Sequence, residues 1–253
     1  MLKSIIVAFS MYSKIPMPHV EWNEKSMRYY MCFFPMVGMV TGLCAVGCFY
    51  LLEVAGMSRS ATAAILTVLP VLINGGIHMD GFMDTMDARS SYKPMEEKLK
   101  ILKDPHMGAF AVISAIVYVL LSFAFFCEVT EAEIVWIGAG YVYSRILSGL
   151  SVVTFKKAKK DGMVAASADA AQKNVKWILT AELALFAAVA LWCSPVMGAV
   201  CLFAGGLVFA YYRHMSYRIF GGITGDLAGY FLQMCELVIL IGVVLAGKMG
   251  GIL

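Results

Sequence analysis

Charge is scarce in this chain: Asp, Glu, Lys and Arg make up 15% of 253 residues, where a soluble domain carries about 25%. Apolar residues account for 60%, and the mean hydropathy is +0.78. That balance excludes a soluble globular domain and predicts a polytopic membrane protein, all-α, in a helical bundle. Of the seven cysteines, six lie inside apolar runs or at their ends and none forms C-x-x-C, which argues against a disulfide framework or a zinc site. The phosphate loop G-x-x-x-x-G-K-[ST] is missing, so ATP hydrolysis is not expected. No signal peptide is read at the start, because Lys14 and Pro16 interrupt its short apolar run and no small-residue cleavage site follows. Residues 2–12 are expected to form an amphipathic helix in the membrane interface.

What the chain has in quantity is apolar sequence. Runs long enough to cross a core of about 30 Å fall near residues 29–52, 60–78, 108–127, 134–154, 176–192, 195–212 and 229–247, predicting about seven spans. The fifth and sixth are separated only by Cys193 and Ser194, so they read either as a tight helical hairpin or as a re-entrant element. Lysine and arginine alternate with these runs: they gather in residues 1–28, 79–107, 155–176 and 213–228 and are sparse in the intervening turns. By the positive-inside rule this predicts a cytoplasmic N-terminus, an external C-terminus and a multi-pass protein of the cell membrane. One membrane domain over 1–253 is expected, with 1–28 as an interfacial segment and 79–107 and 213–228 as cytoplasmic active-site segments. Gly38 and Gly42, with Gly138, would permit close helix packing. The Lys-Lys-Ala-Lys-Lys run at 156–160 reads as a loop beside anionic lipid, with attraction of an anionic substrate as the alternative; on the lipid reading Lys157→Ala has little effect.

Against this background the stretch from Gly75 to Asp87, GGIHMDGFMDTMD, stands out. On a helix Asp80, Asp84 and Asp87 fall at i, i+4 and i+7, within roughly a 60° sector. Two carboxylates about 4 Å apart repel by roughly 1 kcal/mol in water and about 4 kcal/mol at an effective dielectric of 20, so the cluster needs a counter-cation. Hard oxygen ligands indicate Mg²⁺, with Mn²⁺ as the alternative, shared with substrate phosphates. A second element, GGITGDLAG from Gly221 to Gly229, lies on the same predicted side; Thr224 and Gly225 suit phosphate contact, and Asp226 adds a metal oxygen. Arg145, Glu182 and Glu236 are charges inside apolar runs. Arg145 reads either as a bidentate phosphate ligand or as the structural partner of Glu236 or Glu182. His78 is a candidate base or carboxylate-orienting group, against the simpler reading of a hydrogen-bonded helix-end histidine. Asp104 and His106 offer an acid and a donor at the same surface, or a helix cap. Together these residues suggest metal-assisted displacement by an alcohol at a phosphoanhydride.

Together the motifs resemble those of the cobalamin synthase family, the adenosylcobinamide-GDP ribazoletransferases. The resemblance runs through Phe9 with Ile15-Pro16-Met17-Pro18, Phe34-Pro35 with Gly38 and Gly42, the Gly75–Asp87 run, Lys103-Asp104 with Gly108, Ser144-Arg145, and Gly221 to Asp226 followed by Glu236. It implies an integral membrane enzyme that uses Mg²⁺ to join adenosylcobinamide-GDP to α-ribazole or its 5′-phosphate, releasing GMP. On that resemblance Asp80, Asp84 and Asp87 bind metal and diphosphate, with the metal ligand Asp226 and Thr224 completing the site; Asp84, Asp87 and His78 are the catalytic candidates. Arg145, Thr224, Gly225, Arg89, Asp104 and His106 are the substrate-binding candidates. The expected partners are the two small-molecule substrates and membrane lipid, with self-association left open and no nucleic acid. Three positions depart from the family pattern: Ala88-Arg89 where Gly usually follows the third Asp, Pro105-His106 where Ser-Arg is common, and Gln233 where Glu is common. The alternatives are a CDP-alcohol phosphotransferase-like lipid enzyme, suggested by Asp84-x-x-Asp87-Ala88-Arg89, and a transporter lined by Arg145 and Glu236.

Overall fold

The computed structural model describes residues 1–159 and 162–250. These form α1 (Leu2–Tyr12), α2 (Glu24–Met27), α3 (Phe34–Val54), α4 (Arg59–Asn74), α5 (Ile77–Ser90) and α6 (Met95–Ile101), then α7 (Ala109–Phe126), α8 (Glu131–Thr154), α9 (Met163–Ala170), α10 (Val175–Cys193), α11 (Pro195–Phe220) and α12 (Gly225–Gly250). Among the described residues there is no strand, only an isolated parallel bridge between Lys157 and Ile223.

Helix starts follow local chemistry. Ser58 accepts from the Ala61 N–H at 3.3 Å to cap α4, and Thr130 with Glu133 forms a capping box on α8. Ser194 caps α11 through the Met197 N–H, with Pro195 in the first turn. The pair α10 and α11 is therefore the tight hairpin of the two sequence alternatives. At its closed end a Cβ on Gly198 would fall 2.5 Å from the Ala190 carbonyl oxygen.

Among the described residues five helical segments are long and apolar enough to cross a membrane: Tyr30–Val54, α7, α10, α11 and α12. A sixth is reached only if α4 and α5 count as one span, and those two are bent by 96°. The expectation of about seven spans is not reproduced on length and apolarity, chiefly because of α8. Its 24 residues give about 36 Å of helix, enough for a span, yet glycines, serines, two glutamates and Arg145 lower its apolar content. It is the central helix, with Ser144 to Val152 buried without interruption. A Cβ on Gly42 would lie 2.3 Å from the Gly138 carbonyl oxygen and one on Gly38 would lie 2.3 Å from that of Tyr141, so these glycines let α3 lie directly against α8.

Helix α1 packs inward. Ser4, Val7, Ala8 and Met11, spaced at helical period, are buried against the Tyr30–Phe33 turn and α3, so its apolar stripe faces protein. The 213–228 segment is mostly not a loop: α11 continues to Phe220 and α12 begins at Gly225, leaving Gly221 to Thr224 as the connection.

Arg145 is fully enclosed, between α8 and α12. Its Nη1 donates to Glu236 Oε1, to Ser144 Oγ at 2.9 Å and to the Tyr141 carbonyl at 3.2 Å, and the guanidinium carbon lies 5.4 Å from the Tyr141 ring centroid. The partner is Glu236 rather than Glu182, which sits in α10.

Candidate active site

The turn from α4 into α5 requires glycine twice: Gly75 and Gly76 have φ of 67° and 82°, a region that side chains disfavour. Lys14 lies across this corner, its N–H donating to the Ile73 carbonyl at 2.7 Å. Because of the 96° bend, α5 does not continue the path of α4, and it lies outside the five spans. It carries Asp80, Asp84 and Asp87 on one helix at the predicted spacing. At Gly81 it meets α12 backbone to backbone: a Cβ there would fall 2.7 Å from the Asp226 carbonyl oxygen and 2.9 Å from its Cα. Gly229 reciprocates, its Cβ position lying 3.1 Å from the His78 carbonyl oxygen. This crossing sets Asp226 beside Asp80 and Asp84, joining two motifs about 140 residues apart in sequence.

Thr224 starts α12. Its hydroxyl accepts from the Leu227 N–H and donates to Asp226 Oδ2, both at 3.3 Å. The connection before it is clasped by the basic run: the Ile223 N–H donates to the Lys156 carbonyl at 2.8 Å and the Ala158 N–H to the Ile223 carbonyl at 3.0 Å. Gly222 permits this approach, since a Cβ there would lie 2.5 Å from the Lys156 carbonyl oxygen.

A cavity of about 370 Å³ opens at this junction. Asp80, Thr224, Gly225 and Asp226 line it together with Lys103, Lys157 and Lys159, and Tyr12, Met31, Phe34, Val152 and Leu232 give it apolar surface. Lys159 also donates to the Leu99 carbonyl at 2.8 Å. The three lysines are site residues that motif reading did not select. Their signals were the Lys103-Asp104 turn and the basic run, and the substrate-facing alternative for that run fits the structure better than the lipid-facing one. Lys160 lies outside the described residues.

Burial pushes the Asp84 carboxyl up to about 6, and the charges of Asp80, Asp226 and Asp87 add to the effect. Such crowding fits a site for a divalent cation, and the donors are all hard oxygens. Among the described residues no group of three or more His, Cys, Asp or Glu side chains could hold a metal ion by itself. Mg²⁺ commonly uses one or two carboxylates with substrate phosphates and water, which suits the open pair Asp80 and Asp226.

The other candidates are spread more widely. Asp87 does not line the cavity; its carboxylate lies against Gly108, the residue capping α7, where a Cβ would fall 2.1 Å from Oδ1. His78 lines the cavity and is 3% exposed; burial foremost, then the Arg145 charge, hold its imidazole well below its ordinary pKa. Four of the substrate-binding candidates do not line this cavity. Arg145 is closed into its pair with Glu236 and does not reach the cavity, because a buried guanidinium is held by the carboxylate that neutralises it. Arg89 turns to α11 and α12, donating to the Tyr230 hydroxyl at 3.3 Å with its guanidinium carbon 5.9 Å from the Tyr211 ring centroid. Asp104 and His106 pair with each other at 2.8 Å on the exposed surface, and hydrogen bonds from the His106 backbone and ring hold the Asp104 carboxyl below its usual range. Only their neighbour Lys103 lines the cavity.

The family model described as cobalamin-5-phosphate synthase matches residues 4–244. The chain belongs to that family. An adenosylcobinamide-GDP ribazoletransferase from Lachnoclostridium phytofermentans is 47% identical over 250 residues, covering 97% of this chain and 94% of its own. Proteins of the same name from Treponema denticola, 30% identical over 94% of this chain and 96% of their own length, and from Clostridium perfringens, 28% identical over 96% and 98%, match end to end as well. No solved structure matches the chain. For this cobalamin-5-phosphate synthase family member, the meeting of α5 with α12 explains how two separated motifs serve one cavity.

Proposed function

We propose that this chain is an adenosylcobinamide-GDP ribazoletransferase of cobalamin biosynthesis, acting at the cytoplasmic face of the cell membrane. Family membership and the names of its relatives support the reading. The single structural observation that carries it is the Gly81–Asp226 contact, which brings carboxylates of both motifs to one lysine-lined cavity.

In the proposed reaction a hydroxyl oxygen of α-ribazole or its 5′-phosphate bonds to the cobinamide-linked phosphorus. The diphosphate P–O bond breaks, its electron pair leaves with GMP, and the hydroxyl proton passes to the carboxylate cluster. Asp80 and Asp226 would hold Mg²⁺, with Asp84 one turn along α5. Bound there, the ion supplies charge neutralisation for the diphosphate and for departing GMP. Lys103, Lys157 and Lys159 offset the remaining phosphate charge. The first turn of α12 presents backbone N–H groups and the positive end of its dipole to phosphate oxygens. Tyr12, Met31 and Phe34 exclude water from the apolar part of the cavity. A transport pathway past Arg145 and Glu236 is not favoured, since that pair is shut into the helix interior.

The test is mass spectrometry of products from purified protein given adenosylcobinamide-GDP, α-ribazole 5′-phosphate and Mg²⁺, with an EDTA control. Metal-dependent cobalamin phosphate and GMP are expected; absence of both from folded protein would overturn the reading.

A further inference from the structure

Asn74 and His78 form a hydrogen-bonded pair whose tautomer is assigned from the neighbouring Gly76 contact. The Gly76 N–H donates to the Asn74 side chain at 2.9 Å, so the atom facing it is the carbonyl oxygen Oδ1. The opposite amide face, Nδ2, then faces His78 Nδ1 at 3.2 Å. An amide nitrogen only donates, so His78 Nδ1 accepts and carries no proton. The ring is therefore the neutral tautomer with its proton on Nε2. That N–H is buried and has no hydrogen-bond partner, and the ring carrying it lines the cavity. A buried donor left without an acceptor is costly, which makes it a candidate for a ligand contact. Tyr12 and Phe34, with ring centroids 6.3 and 6.2 Å from that of His78, fix the plane of the imidazole.

We propose that His78 is a neutral hydrogen-bond donor, not a proton acceptor: its Nε2–H binds a phosphate oxygen of the diphosphate substrate, and Asn74 is the positioning residue that holds this tautomer. The assignment deepens the transferase reading and rests on it for the identity of the substrate. It removes His78 from the list of candidate bases, since Nδ1 is engaged by the Asn74 amide and Nε2 already bears a proton.

The test has two arms. In ¹⁵N-histidine NMR of the full-length protein in nanodiscs, His78 should show its one-bond proton coupling at Nε2, and addition of inorganic pyrophosphate with Mg²⁺ should move that resonance. A proton at Nδ1, or an Nε2 signal that pyrophosphate leaves unmoved, overturns the proposal. This arm reads no turnover, so it decides the point even if the transferase reading fails. In the second arm, His78→Gln keeps an N–H near the Nε2 position, whereas His78→Asn keeps one only near Nδ1. With folding of both checked by thermal unfolding, His78→Gln should stay within about threefold of wild type in kcat/KM, and His78→Asn should lose about 10- to 100-fold, the range for a hydrogen bond to a charged group. Equal loss in two folded variants would mean that the ring acts as a base, contradicting the donor assignment.

Discussion

Gly81→Ala is the substitution that probes the α5–α12 crossing directly. The added Cβ would sit 2.7 Å from the Asp226 carbonyl oxygen, about 0.7 Å inside the 3.4 Å at which ordinary contact begins, and 2.9 Å from Asp226 Cα. Both obstacles are backbone, so no side chain can swing aside and the helices must part by a comparable distance. Overpacking of this kind costs about 1–3 kcal/mol. The catalytic cost is expected to be larger in proportion, because misplacing reacting groups by about 1 Å costs on the order of 100-fold in rate. Gly47→Ala supplies the control, since its Cβ would meet nothing within 4 Å. Thermal unfolding and GMP release, measured on both variants in the same detergent, separate the effects. A folded Gly81→Ala protein with wild-type turnover would refute the idea that this contact sets the site.

Three further outcomes are expected. Lys157→Ala should raise KM for adenosylcobinamide-GDP several-fold, and the effect should shrink with added salt, because the lysine lines the cavity rather than facing lipid; an unchanged KM at low salt would return it to a lipid-facing role. The Asp84 carboxyl, raised to about 6 in the fold against 3.8 ordinarily, contributes stability below about pH 4 that is lost as pH rises through 6. That contribution is about 3 kcal/mol for a fully enclosed group and about 1 kcal/mol for one partly in water. In metal-free buffer the Tm should therefore fall over this interval more in wild type than in Asp84→Asn; identical profiles would contradict the crowding. Arg145→Met should cost about 3–5 kcal/mol by leaving the Glu236 charge buried alone, and combining it with Glu236→Gln should recover much of the loss in thermal unfolding.

The chemistry of the two motifs was legible in sequence because it is local. Asp80, Asp84 and Asp87 share a helix by spacing alone, Thr224 caps the next helix from its own hydroxyl, and Gly-Gly at 75–76 breaks the chain where the structure bends. What stayed hidden depends on partners far away in the chain. Arg145 is paired with a carboxylate 91 residues on, so its sequence neighbours give no sign that its charge is already neutralised. The basic run faces the cavity only because the Lys156 and Ala158 backbone is stitched to Ile223, a pairing with no pattern in either segment. The count by length and apolarity falls below seven for a related reason: α8 is enclosed by its neighbours, which frees its composition from the rules that mark apolar spans.

The most direct test of the central claim, that carboxylates from both motifs act in one site, is GMP release by wild type and by folded Asp226→Asn protein assayed side by side with and without Mg²⁺. Metal-dependent release by the wild type, reduced to background in the variant, is the predicted result. Undiminished release by Asp226→Asn would contradict the account, because α12 would then contribute no carboxylate to the reaction.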